Sequence, residues 1–307
     1  MTVLIATSVV RGSRQGESHG GVYLIDLARE RLRQVLDWNR SDIDWSGRGW
    51  DRGLRGIAFD GETVYIAASD ELFAFDPAFT PLGSWRNPYL RHCHEIAVHR
   101  RRLFLTSTGF DALLGFDLDT HTFSWGMQIT FDGIGYRGIP FDPGSLQGPA
   151  PVNELHLNQV FCDASGMYLG GLHPCGLLRF DGRELRKVVA LPAGIHNARP
   201  WRDGVLFNDT ASDRLCCIGP EGTLSFPVPR PEASLLSHLD TAANGVARVG
   251  FARGLCAVDA RTVAAGSSPS TITLYDLDAG KSTGSVVLSR DVRNAIHGLE
   301  VWPYALS

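Results

Sequence analysis

What this sequence has little of narrows it first. Its 307 residues hold six cysteines, at 93, 162, 175, 216, 217 and 256, and no two form a CxxC pair. A chain of this size needs no disulfide staples, so no disulfide framework is expected. A surplus of one charge is missing too. There are 29 Lys and Arg against 33 Asp and Glu, a net charge of -4, which gives no reason to expect nucleic acid or an anionic membrane as partner. No apolar run approaches membrane-spanning length. The opening MTVLIATSVV lacks the basic segment of a secretory signal, so it reads as a first strand, and a cytoplasmic location is expected. No serine or cysteine nucleophile stands at a recognised spacing from a base.

What is present is a faint, regular repeat. Thirty-four glycines and sixteen prolines are spread along the whole chain, as many short strands joined by turns require. Apolar runs close on Asp at LFAFD (Asp76), LLGFD (Asp117), LLRFD (Asp181) and ITLYD (Asp276). YLIDL ends at Leu27, and a degenerate copy, LCCIG, ends at Gly219. Upstream of each lies a run such as GETVYIAAS or SGMYLGGL, and upstream again a short leading strand: RGIAFD, HEIAVH, NQVFCD, HNARPW, RGLCAV and HGLEVW. From leading residue to closing residue the copies run 94 to 117, 158 to 181, 196 to 219 and 253 to 276, which is 23 residues each time; the copy from 55 to 76 is two shorter. A further strand after each closure, as in THTFSWGMQI and GKSTGSVVL, makes four antiparallel strands at a period of roughly 40 residues, the signature of propeller blades.

The start of the chain has no leading strand, and AIHGLEVW near its end has no blade of its own. Pairing them builds one composite blade from 295–302 and 2–38. The expected fold is therefore all-β, a single six-bladed β-propeller domain over 1–307. Two spacers, 130–154 and 227–250, exceed the repeat, and the first, FDGIGYRGIPFDPGS, reads as a lid.

In a propeller the leading strand faces the central channel. The aligned leading residues are Arg55, His94, Asn158, His196, Arg253 and His297. The histidines fall on alternate blades, 102 and 101 residues apart. Three imidazoles converging on an axis suit a divalent transition metal, zinc first, with iron or copper as alternatives. The arginines and the amide between them would meet a carboxylate or oxyanion. His92 and His156 stand two positions earlier and so, in a strand, share a side with His94 and Asn158; His156 is a candidate fourth ligand or general base. His173 in GGLHPCG and Arg137 are candidate substrate contacts, and Tyr136 a candidate base reaching in from the lid. Cys93 and Glu95 alternate away and read as structural. His19 reads as part of a mobile loop, and His99, His121 and His238 as solvated. A register shifted by two gives Gly53, His92, His156, Gly194, Phe251 and Ala295, a set with less chemistry.

The alternate-blade histidines with intervening arginines resemble the catalytic core of peptidylglycine amidating lyase, a six-bladed propeller. That resemblance implies His94, His196 and His297 as zinc ligands, Arg55 and Arg253 as carboxylate partners and Tyr136 as base. HLNQV, GIHNARPWRDGVLFNDTASDRL and GFARGL are similar to a bacterial propeller family that supplies no activity. The function expected is a metal-dependent lyase or hydrolase acting on a small, oxygen-bearing anionic substrate. Iron- or copper-dependent oxygen chemistry at the same site is one alternative. Calcium, which wants oxygen ligands, is disfavoured. The other alternative is a non-catalytic propeller that binds a ligand or a protein.

Overall fold

The computed structural model describes residues 2–29, 31–39 and 53–305, less the side chains of 242 and 243. Residue 30, inside the range expected for the composite blade, lies outside the described residues. The strands in chain order are β1 (Val3–Val10), β2 (Gly21–Asp26), β3 (Arg31–Asp37), β4 (Leu54–Asp60), β5 (Thr63–Ala68), β6 (Glu71–Phe75), β7 (Pro81–Arg86), β8 (Ile96–His99), β9 (Arg102–Ser107), β10 (Ala112–Asp117), β11 (Thr122–Phe131) and β12 (Tyr136–Phe141). They continue with β13 (Leu157–Asp163), β14 (Gly166–Gly171), β15 (Gly176–Phe180), β16 (Leu185–Ala190), β17 (Ile195–Trp201), β18 (Gly204–Asp209), β19 (Arg214–Gly219), β20 (Gly222–Pro227), β21 (Leu255–Ala257), β22 (Thr262–Ser267), β23 (Thr271–Asp276), β24 (Lys281–Val287) and β25 (Asn294–Val301).

They form six antiparallel sheets, the blades of a six-bladed β-propeller: β25-β1-β2-β3, β4-β5-β6-β7, β8 to β12, β13-β14-β15-β16, β17-β18-β19-β20 and β21-β22-β23-β24. The composite blade is as the sequence requires, with Leu4 opposite Val301 and Val9 opposite Ala295. The chain divides into two compact units, Met1–Arg55 with Arg202–Ser307, and Gly56–Trp201.

Burial explains why these runs are strands. Successive side chains in a strand point to opposite faces, and a strand covered on both faces reads as continuously apolar. In β10, Ala112, Leu114 and Phe116 enter one core cluster with Leu103, Leu105 and Leu72, while Leu113 enters another with Leu157 and Leu169. Each buried Leu or Phe among them contributes roughly 1.5–3 kcal/mol. The last strand of a blade faces outward and changes composition accordingly. RLRQVLD in β3 and KSTGSVV in β24 are mostly exposed, with charge and small polar groups that discourage edge pairing.

The closing aspartates have a local cause. Each accepts backbone N–H groups of the following turn on its side chain: Asp76 from Ala78 and Thr80, Asp117 from Asp119 and Thr120, Asp181 from Arg183 and Glu184, Asp276 from Asp278 and Ala279. Asp26 does the same for Ala28 and Arg29, so the closing position of that blade is Asp26 rather than Leu27. The degenerate copy ends in a tight hairpin instead, with Gly219 opposite Gly222, and needs no such acceptor.

These backbone hydrogen bonds hold the carboxyls of Asp76, Asp117, Asp181 and Asp276 below the ordinary carboxylate range. A depressed folded-state pKa means that the unfolded chain binds protons first, so this stability is present above the unfolded value and lost as pH falls through the folded one. The urea midpoint is expected to drop between about pH 5 and pH 3, and the slope to flatten in a fourfold Asp→Asn variant. An unchanged slope in that variant would show that the turns do not carry the acid sensitivity.

The structure corrects one element. The 130–154 spacer is not a lid loop: β11 runs on to Phe131, turns at Asp132–Gly135 and returns as β12, a fifth strand at the outer edge of its blade. The second spacer holds a 3-10 turn, Ala233–Leu235, and one short helix, Leu239–Ala243. Among the described residues no helix is long and apolar enough to cross a membrane.

Candidate functional site

The leading positions are reached through a turn. Two residues before each of four of them the backbone takes a positive φ: His92 at 55°, His156 at 52°, Gly194 at 80° and Phe251 at 48°. Such a residue breaks the extended alternation, so His92 and His156 do not share a side with His94 and Asn158 by strand geometry. β8 begins at Ile96 and β21 at Leu255, which leaves His94 and Arg253 just ahead of their strands.

In the unit Gly56–Trp201, His94 is fixed on every side. Its N–H donates to Thr106 Oγ1 at 3.0 Å, and its carbonyl accepts from Gly56 N at 2.8 Å. A β-carbon at Gly56 would stand 2.8–2.9 Å from the backbone of Ile96, Glu95 and His94, so this close approach needs glycine. His94 Nδ1 lies 2.7 Å from the carbonyl oxygen of His92 and 3.0 Å from Thr108 Oγ1. The Thr108 hydroxyl donates its own hydrogen to the Leu157 carbonyl, so toward His94 it accepts. Two acceptors on Nδ1 place the proton there and the lone pair of the neutral ring on Nε2.

Two more imidazoles stand beside this ring. The His156 centroid is 5.6 Å away and edge-on, and that of His196 is 6.3 Å away. His94 and His196 are buried, and His156 is half-buried. Asn158, 1% exposed, donates from Nδ2 to the Ile195 carbonyl at 3.0 Å. Its Oδ1 is buried with no hydrogen-bond partner among the described residues, an acceptor open to a ligand's N–H or O–H.

Sequence reasoning passed over three residues here. Glu95, expected to turn away, takes a hydrogen bond on Oε1 from Asn197 Nδ2 at 2.5 Å. The pair repeats, one residue further along, the approach of His94 and His196. Asn197 has φ 56°, which is why simple alternation fails for it. Asp111, 1% exposed, accepts the N–H groups of Glu154 and Leu155 on Oδ2 and of Leu157 on Oδ1, and so shapes the turn that carries His156.

Other expected site residues lie elsewhere. Tyr136 sits on β12, the outermost strand of its blade, while His94 precedes the strand at the opposite edge. Its hydroxyl donates to the Pro174 carbonyl at 2.8 Å, and burial pushes its pKa up, the wrong direction for a base. Arg137 pairs with Asp132 and its side chain is 73% exposed. The segment expected to bring these two residues inward as a lid is instead the edge strand β12. His173 is exposed, with its N–H on the Leu155 carbonyl. His19 is fully buried rather than mobile, its Nδ1 against Ser13 Oγ at 2.5 Å.

The other unit holds Arg55, Arg253 and His297, all buried. The Arg55 carbonyl accepts the Thr7 hydroxyl, and Thr7 Oγ1 accepts the Gly298 N–H at 2.8 Å. Arg253 Nη1 lies 3.3 Å from His297 Nε2. A guanidinium can only donate, so that nitrogen carries the lone pair of a neutral ring. Thr210 and Asp213 repeat the parts played by Thr108 and Asp111: the Thr210 hydroxyl donates to the Ala252 carbonyl, and Asp213 Oδ1 accepts the Phe251 N–H at 2.8 Å. Among the described residues no three or more His, Cys, Asp or Glu side chains are gathered into a ready metal cage.

No protein-family model matches the sequence, and neither does any curated protein. Solved structures do. A chain of the nidogen/laminin complex is similar at TM-score 0.58 and 13% identity, over 98% of this chain and 97% of that one. A protein of unknown function from Bacteroides caccae is similar at TM-score 0.59 and 9% identity, over 99% of each chain. Likeness at this identity establishes the fold alone. A catalytically inactive virginiamycin B lyase from Staphylococcus aureus, with quinupristin, stands further off, at TM-score 0.49, 10% identity, and 80% and 73% coverage. At that distance no chemistry transfers. The protein is a six-bladed β-propeller.

Proposed function

We propose that the protein is a metal-dependent enzyme, a lyase or hydrolase of a small, oxygen-bearing anionic substrate. His94 and His196 are its metal ligands, and His297 is assigned as the third by the register of the repeat alone. The observation that carries this reading is the hydrogen-bond frame of His94. A ligating histidine characteristically donates its other ring N–H to a carbonyl or similar acceptor, and His94 does so to His92 and Thr108. Imidazoles sharing one ion have centroids about 5–6 Å apart, given bonds of about 2.1 Å and tetrahedral angles. The 6.3 Å between His94 and His196 is within a small side-chain adjustment of that.

A bound divalent ion would supply Lewis acidity at the substrate oxygen. The chain's own groups do the rest. Asn158 Oδ1 accepts from the substrate, His156 stands beside His94 as the proton acceptor, and Arg55 and Arg253 are the partners for anionic oxygens.

The test is elemental analysis of protein purified without chelator or nickel, comparing wild type with the His94→Ala, His196→Ala, His297→Ala triple variant. Near-stoichiometric zinc that vanishes in a folded variant is expected. Iron or copper in its place moves the reading to oxygen-dependent chemistry. No metal, even after reconstitution with each, overturns it.

One observation favours a second, metal-free reading. The lone pair of His297 Nε2, which an ion would need, already faces Arg253 Nη1. On that reading the propeller binds its ligand without catalysis, and His196→Ala leaves binding unaltered.

A further inference from the structure

We propose that Asn244 is a self-modifying site, where the backbone nitrogen of Gly245 displaces the side-chain amide and leaves aspartate and isoaspartate in the second spacer. The reaction needs no metal and is independent of the proposed function.

The step is a cyclisation. A base takes the Gly245 N–H proton, the nitrogen attacks Asn244 Cγ, and a C–N bond forms. The Cγ–Nδ2 bond breaks, and the amide nitrogen leaves as ammonia with the returned proton. Water then opens the five-membered imide at either carbonyl, giving aspartate or, with the main chain rerouted through the side chain, isoaspartate. A folded chain permits this only where the attacking nitrogen is not crowded by a side chain or held in a hydrogen bond, and where the asparagine can rotate.

Asn244 meets these conditions. It is the one asparagine in the sequence that is followed by glycine. Both residues are exposed, and a β-carbon built on Gly245 would meet nothing within 4 Å. Gly245 has φ 71°, a backbone that favours glycine, so the fold itself selects the residue that leaves the nitrogen uncrowded. Among the described residues the Gly245 N–H donates to no backbone carbonyl, whereas those on either side do: Asn244 N to the Asp240 carbonyl at 3.3 Å and Val246 N to that of Thr241 at 3.1 Å.

The spacer is tied down before and after this turn. Ser237 N donates to the Arg290 carbonyl at 3.1 Å, and the Ser237 carbonyl accepts from Val292 N at 3.2 Å. Beyond the turn, Arg248 pairs with Asp213 at 2.6 Å, and Gly250 and Ser268 exchange two backbone hydrogen bonds of 2.7 Å. The exposed turn between these anchors can rotate without releasing either, as loop tips commonly do. The products place a further negative charge, and in isoaspartate one more main-chain methylene, just ahead of Arg248.

Other asparagines show what closes the reaction off. Asn153 is exposed in the first spacer, yet the next residue is Glu154, whose N–H is held by Asp111 Oδ2 at 2.6 Å. Asn208 is 0% exposed, and its Nδ2 donates to the Gly254 carbonyl at 3.2 Å.

The experiment is incubation of the full chain, native and in urea, at mildly acidic and mildly alkaline pH, with conversion followed by mass spectrometry of its peptides. Circular dichroism confirms that the native sample stays folded. In the native protein, conversion at Asn244 is expected to be at least about tenfold faster than at Asn153, and to slow by a similar factor in Gly245→Ala. It should rise with pH and run at nearly the rate of the urea-unfolded chain. No conversion in the native protein, a native rate tenfold or more below the unfolded one, or equal rates at Asn244 and Asn153 each overturns the assignment.

Discussion

Replacing Asp111 with alanine is expected to lower stability by about 3 kcal/mol, since a buried acceptor and its donors are lost together. For a chain of this length that is about 5 °C in melting midpoint. The carboxylate is 1% exposed and takes the N–H groups of Glu154, Leu155 and Leu157, while its own carbonyl accepts from Ile129 N at 2.7 Å. Without it the buried N–H groups of Leu155 and Leu157 lose their acceptor, and the turn that places His156 against His94 loses its template. Asparagine separates the geometry from the charge. Burial pushes the Asp111 carboxyl up, opposite in direction to the turn aspartates. Its protonated form is favoured on folding, and that contribution is lost as pH rises through the folded value. Asp111→Asn keeps one acceptor oxygen and no ionisation, so it should cost about 1 kcal/mol and abolish this rising-pH loss. Urea unfolding across pH measures both. Equal losses for the two variants would show that side-chain volume, rather than acceptance, holds the turn.

The blade pattern was legible because two strong local rules agree in it. Strands buried on both faces must be apolar throughout, and the aspartate after the third strand caps the next turn from its side chain, so both leave marks at a fixed spacing. The composite blade followed from an unpaired leading strand. The fifth strand did not, because YRGIPF carries glycine and proline and reads as a loop. The missed signal was Asp132, whose Oδ1 accepts from Ile134 and Gly135 N–H groups just as the blade-closing aspartates do. The phrase ITFD at 129–132 is one more copy of the closing phrase.

The site was legible in its positions and not in its turns. Aligning leading residues identified His94, His196 and Asn158, which lie near one another within the unit Gly56–Trp201. The turns before them use His92, His156 and Phe251 in a left-handed conformation that glycine would have advertised and these residues do not. Their support lies at a distance in sequence. Thr108 with Asp111, and Thr210 with Asp213, share a T-x-x-D spacing and stand 102 residues apart, the same step that separates His94 from His196. Had that two-blade period been sought beyond the histidines, it would have picked out all four supporting side chains.

Thr108 carries the second large expectation. Its hydroxyl gives its hydrogen to the Leu157 carbonyl and takes that of His94 Nδ1, so it selects the tautomer whose Nε2 lone pair is available. Thr108→Val keeps the shape and removes both bonds. Affinity for a divalent ion, measured by competition with a chromophoric chelator, is expected to fall ten- to hundredfold, the usual effect of losing a group that orients a ligating histidine. The uncompensated Leu157 carbonyl should add about 1–2 kcal/mol of lost stability, readable in the same unfolding experiment as Asp111. Thr108→Ser restores the hydroxyl and should restore the affinity even where it leaves a methyl-sized gap. Nitrogen chemical shifts of the imidazole supply the independent readout: the Nδ1–H form dominates in wild type and in Thr108→Ser, and the two tautomers mix in Thr108→Val. An unchanged tautomer in the valine variant would mean that the His92 carbonyl alone sets the ring, and that Thr108 serves only to join its blade to the next.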